Sequence, residues 1–121
     1  MKRHTVAIIF STIILFSCNY YNEEELYGNE ICDTSNITYD EDIKPILQQN
    51  CYYCHSSSVV YSGNLNLENP EHIRRVVDNG KLLKNIKHEA DGDPMPQGGA
   101  KLSDCKINKI EKWINLGTPY K

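Results

Sequence analysis

Cys51 and Cys54 stand two residues apart, and His55 follows directly. Two thiols at this spacing add across the two vinyl groups of a haem, and a histidine immediately behind them reaches the iron from the same side. The motif bears on the fold as well as on the chemistry. A chain of 121 residues, 40% hydrophobic and 24% charged, holds one small domain. A core of that size is marginal without a staple or a cofactor. Two other chemistries use paired cysteines. Structural zinc needs two further ligands at a regular spacing, and Cys32, His72, His88 and Cys105 offer none. A thioredoxin-like dithiol needs a βαβ setting, and no stretch of this sequence alternates as a strand does.

The N-terminus predicts export. Lys2, Arg3 and His4 form a short basic start, and residues 6–16 are an apolar run broken only by Ser11 and Thr12. A basic start, a short apolar run and a small residue at the end describe a signal peptide. The run is too short for a typical transmembrane helix. It closes on Leu15-Phe16-Ser17-Cys18, which resembles the lipobox of bacterial lipoproteins. There the cysteine is lipidated and becomes the new N-terminus. The expected division is a lipoprotein signal peptide over 1–17, a tether over 18–36 and a haem domain over 37–121. The alternative is an ordinary signal peptide whose cleavage site falls near a cysteine. Of 13 Lys and Arg, Lys2 and Arg3 leave with the signal, so 11 basic residues face 16 acidic ones. That balance excludes a nucleic-acid binder, which carries the opposite sign, and suits a soluble acidic domain.

Cysteine arithmetic supports the same division. Of five cysteines, Cys51 and Cys54 go to haem and Cys18 to lipid. Cys32 and Cys105 remain, and an exported protein sits where a leftover pair oxidises to a disulfide. If Cys18 is not modified, an odd thiol is left over.

The tether holds Tyr20, Tyr21 and the run Glu23-Glu24-Glu25 with no helical period, the composition of a solvated spacer. Beyond it the spacing is helical. Asp40 or Asp42 can cap a helix with Ile43, Ile46 and Leu47 on one face, and Pro45 favours a start near Asp42. This helix runs into Cys51. Residues 56–68 read as a loop. Asn69-Pro70 opens a helix with Ile73, Val76 and Val77 on its apolar face, and Gly80 ends it. Leu82, Leu83 and Ile86 mark a short helix to about His88. Residues 90–100 form a Pro- and Gly-rich loop. Ser103 caps a last helix whose Ile107, Ile110, Trp113 and Ile114 make one stripe, closed by Gly117. The predicted fold class is all-α.

A haem iron held by His55 takes a second axial ligand, and a Met thioether is one common choice. Met1 leaves with the signal, so Met95 is the candidate, 40 residues after His55 and flanked by Pro94 and Pro96. Two prolines restrict the backbone on either side, which suits a loop that presents one side chain to a metal. A Met packed in the core is the plainer reading. His88, and more remotely His72, are the fallback ligands. With His55 and Met95 both bound, the iron has no open position, and an electron carrier rather than an enzyme is expected. The other reading is a haem enzyme or sensor in which peroxide or a gas displaces Met95.

These residues carry a family resemblance. A helix leading into Cys51-Tyr52-Tyr53-Cys54-His55, a Pro-Met loop at Met95 and a last helix bearing Trp113 resemble class I single-haem cytochromes c. Asp42-Ile43-Lys44-Pro45-Ile46-Leu47 and the run from Met95 to Ser103 are similar to a bacterial lipoprotein subgroup of that family. The resemblance covers roughly the last two-thirds of the chain. It implies that the first and last helices cross and pack, with one covalently attached haem c mostly buried between the Cys loop and the Met loop. It implies one-electron exchange with redox protein partners, as a monomer or as a subunit of a larger redox complex. The expected location is a bacterial envelope membrane, reached through lipid on Cys18, with the domain in the periplasm or at the cell surface. If the two helices pack, Cys32 and Cys105 meet at the edge of their contact. That cysteine pair is a departure, since a small soluble cytochrome need not have it.

Overall fold

The computed structural model describes residues 32–59 and 63–120. The expected signal peptide, the lipidation site Cys18 and most of the tether lie outside the described residues. Among the described residues every regular element is helical, and the domain is all-α. A π-helical turn, Tyr39–Ile43, continues into α1 (Lys44–Asn50). A single turn, α2 (Tyr52–His55), follows, then α3 (Pro70–Asp78), α4 (Lys81–Ile86) and α5 (Asp104–Asn115).

The first helix starts earlier than its proline suggests. Thr38, not Asp40 or Asp42, is the N-cap: its hydroxyl accepts from Glu41 N–H at 3.3 Å. Asp42 instead closes the cap from inside, accepting from Thr38 N–H at 2.9 Å, the reciprocal arrangement that satisfies two orphan donors. Pro45 would crowd the carbonyl four residues back in a regular α-helix. The chain meets this by widening the turn ahead of it: the N–H groups of Ile43 and Lys44 reach back five residues, to the carbonyls of Thr38 and Tyr39. A π-turn of this kind absorbs the mismatch without ending the helix.

The other helix ends follow local chemistry. Asn69 caps α3 by accepting from Glu71 N–H at 2.9 Å, with Pro70 at the first helical position. Gly80 adopts φ +73 between α3 and α4, a left-handed turn that a glycine takes at no steric cost. Ser103 caps α5 through Lys106 N–H. At its far end Gly117 N–H bonds Ile114 O at 2.9 Å and Thr118 N–H bonds Trp113 O at 3.1 Å. This is the paired Schellman closure, and Gly117, at φ +85, supplies the left-handed residue it requires.

The core is where these helices meet. Ile43 and Leu47 from the first helix, Ile73 from α3, and Ile110 and Trp113 from α5 are the largest fully buried side chains. Each buried aliphatic contributes roughly 1.5–3 kcal/mol relative to exposure. Tyr39 stacks 5.6 Å from Trp113 and 4.7 Å from Tyr120, so the first helix and the chain end clamp α5 from two sides. Polar bonds finish the clamp: Trp113 Nε1–H donates to Pro119 O at 2.8 Å, and Lys109 pairs with Asp42 at 2.9 Å. Partial burial pushes the Asp42 carboxyl upward, but the Thr38 N–H and Lys109 outweigh it and hold Asp42 below its ordinary value. Lys87 on the end of α4 reaches Glu111 of α5 at 3.0 Å. Ile37 is already buried, and ahead of it Cys32 lies beside Cys105 in the first turn of α5, with their Cα atoms 5.5 Å apart and their sulfurs at bonding distance.

Candidate functional site

A cleft of about 670 Å³ opens between the Cys51–His55 segment, α4 and the loop that follows it. That size falls within the roughly 300–1,000 Å³ usual for small-molecule and cofactor sites. Leu65, Leu67, Val76, Leu82 and Ile86 form its apolar wall. Cys51, Cys54, His55 and Met95 all line it. Motif and methionine are far apart in sequence, and the fold brings them to one place. A second depression, over Glu71, Arg74, Arg75, Asp78 and Asn79, is shallow and holds none of these residues.

The motif sits on one tight turn. Cys51 ends α1, with its N–H on Leu47 O, and its carbonyl then accepts from both Cys54 N–H and His55 N–H. Both cysteine side chains are free thiols. Cys54 is exposed at the rim. Cys51 is half-buried, and burial, helped by the nearby Cys54, pushes its thiol up to about 11. Tyr53 between them points outward and is 91% exposed. Tyr52 packs against the core near Tyr39, and burial raises the pKa of both phenols.

His55 is oriented by the loop that follows it. Leu67 N–H returns to His55 O at 2.7 Å, and Ser57 N–H donates to the Glu68 carboxylate at 2.7 Å. The loop ends are thereby closed, and Leu65 O comes within 3.2 Å of His55 Nδ1. A carbonyl only accepts, so Nδ1 carries a proton in this contact, and in the neutral ring Nε2 is the nitrogen with the lone pair. This is the arrangement found behind metal-binding histidines, where the second nitrogen fixes tautomer and ring orientation.

Met95 comes from the loop after α4, half-buried and joined to Pro96 by a cis peptide bond. Its N–H donates to Asn85 O at 3.1 Å and its carbonyl accepts from His88 Nε2 at 3.0 Å. His88 thus spends its ring on the Met95 backbone and does not line the cleft. His72 lies elsewhere, accepting from Asn66 N–H through Nδ1 at 3.0 Å. Among the described residues no three His, Cys, Asp or Glu side chains gather as a metal cluster, so the zinc reading finds no ligand set there. Cys32 and Cys105 lie outside the cleft.

The residues present suit a haem. Two thiols on one turn, one imidazole with a free Nε2, one thioether and an apolar wall share a single opening, and each type matches a contact that such a group makes. Sequence reasoning missed the parts that steer these side chains: the Leu65 carbonyl behind His55, and His88 and Asn85 behind Met95. Comparison with protein-family models, curated proteins and solved structures finds no match in any of the three. The functional reading therefore rests on the chemistry of the cleft.

Proposed function

We propose that this chain is a single-haem c-type cytochrome with a class I-like helical domain, anchored by lipid on Cys18 and carrying single electrons between redox protein partners outside the cytoplasm. The observation that carries the reading is the convergence of Cys51, Cys54, His55 and Met95 on one apolar cleft. Cys51 and Cys54 hold the cofactor by thioether bonds, and His55 binds through Nε2, kept in register by Leu65 O. Met95 would supply a thioether ligand from the opposite loop. Once bound, a haem supplies exchange between ferric and ferrous iron. The wall from Leu65 to Ile86 keeps water from the site, and the soft Met95 thioether favours the ferrous state. With His55 and Met95 both bound to the iron, no position would be left for substrate, which suits electron transfer rather than catalysis.

The ligand assignment is tested by spectroscopy. The oxidised protein shows a weak band near the red end of the visible spectrum that reports iron–sulfur ligation, and the reduced protein does not bind carbon monoxide. Met95→Ala abolishes the band, admits carbon monoxide and lowers the potential by part of the roughly 0.8 V that axial-ligand choice spans. A wild-type protein without the band, or a variant that retains it, removes Met95 as ligand. Ready carbon monoxide binding by the wild type favours the enzyme or sensor.

Lipidation has its own measurement. The mature protein fractionates with membranes and carries acyl mass, and Cys18→Ser leaves an uncut precursor or a released protein. A wild type that is wholly soluble and without acyl mass contradicts the anchor.

A further inference from the structure

We propose that His88 and Asn85 are positioning residues that hold Met95 at the cleft by engaging both of its backbone polar groups. The inference rests on the reading of Met95 as an axial ligand and assigns residues that keep it there. Pro94 and Pro96 have no N–H, so the Met95 amide is the single backbone donor at the loop tip. Asn85 O accepts that donor at 3.1 Å, and His88 Nε2 donates to the Met95 carbonyl at 3.0 Å. Since a carbonyl only accepts, the His88 proton sits on Nε2. Asn85 lies in the last turn of α4 and His88 two residues beyond its end, and the same helix supplies Leu82 and Ile86 to the wall. The loop is further tied to that helix by Asp93 N–H on Asn85 Oδ1 at 3.0 Å. It also lies flat against it: a Cβ on Gly92 would meet Lys84 Cγ at 2.8 Å and Lys84 O at 3.2 Å. His88 itself adopts φ +55, a conformation that a non-glycine residue holds only where its surroundings over-determine it.

A metal ligand on a loop competes with small molecules according to how much of the time the loop is in place. Losing one net hydrogen bond of ordinary strength changes that ratio by about fivefold, within a range of roughly two- to thirteenfold.

The experiment uses the haem-loaded protein and imidazole as an exogenous ligand for the ferric state. His88→Asn suits the left-handed backbone but is too short to reach Met95 O. His88→Gln carries an amide donor at nearly the reach of Nε2. The inference expects His88→Asn to bind imidazole about fivefold more tightly than wild type, with a weakened iron–sulfur band and a lowered potential. It expects His88→Gln to return all three toward wild type. Met95→Ala sets the upper limit of imidazole affinity. If the wild type has the band and His88→Asn changes only the melting temperature, the positioning role is overturned while the ligand reading stands. If the wild type has no band, the ligand reading falls and this inference falls with it.

Discussion

With Cys51 and Cys54 both replaced by alanine, the mature protein carries no covalent haem. Denatured in acid and organic solvent, it is expected to have the mass of the bare polypeptide, whereas the wild type is expected to retain one haem. Each single replacement leaves one thioether and a weakened attachment. His55→Ala keeps both thioethers but loses normal ligation, because no other described side chain has its second nitrogen braced by Leu65 O. The effect extends to stability. A group that packs only into the folded cleft stabilises the folded state, and a small domain has a margin of about 5–15 kcal/mol. The double variant therefore melts well below the wild type. A wild type whose haem washes away would overturn the central reading.

The second large effect belongs to Cys32 and Cys105. They are 73 residues apart in sequence. In the chain-entropy treatment, closing a loop of that length stabilises by roughly 4 kcal/mol, less any native strain. For a domain of this size that corresponds to a melting temperature lower by roughly 15–30 °C when Cys32→Ser and Cys105→Ser are combined. The visible spectrum stays as it was, since neither residue lines the cleft. Peptide mapping without reductant identifies the cross-linked pair directly. Two alkylatable thiols in protein taken from its native compartment would sink the assignment.

Much of the helical frame is legible in the sequence because its signals are local. Asn69-Pro70, Ser103 and Gly117 act within one turn of where they stand, and the structure uses each at a helix end. Of the stripe Ile107, Ile110, Trp113 and Ile114, the first three are buried as their spacing implies and Ile114 is half-buried at its edge. The start of the first helix is harder to read. Thr38 and Asp42 can each act as a cap, and which one does so depends on Tyr39, whose burial against Trp113 and Tyr120 draws the helix back by a turn. Residues 56–68 read as loop, and no element is assigned there, yet Leu67 is buried and Leu65 O serves His55. A loop that folds back on itself has no period to betray its apolar face. The candidate site divides in the same way. Its reactive side chains are recognisable by type and spacing, whereas their supports are backbone carbonyls and a histidine whose partner depends on how the chain returns over α4. His88 looks like a spare ligand in one dimension and like a brace for the Met loop in three.

The contact between Cys32 and Cys105 encloses the segment that holds Cys51, Cys54, His55 and Met95. A protease that nicks the exposed run Gly98-Gly99-Ala100 therefore releases nothing. The fragment ending at the cut keeps all four of these cleft residues, and the fragment after it, with α5 and Trp113, stays attached through Cys105. Such a single cut becomes a scar rather than a loss, and the two pieces remain paired as partners for refolding.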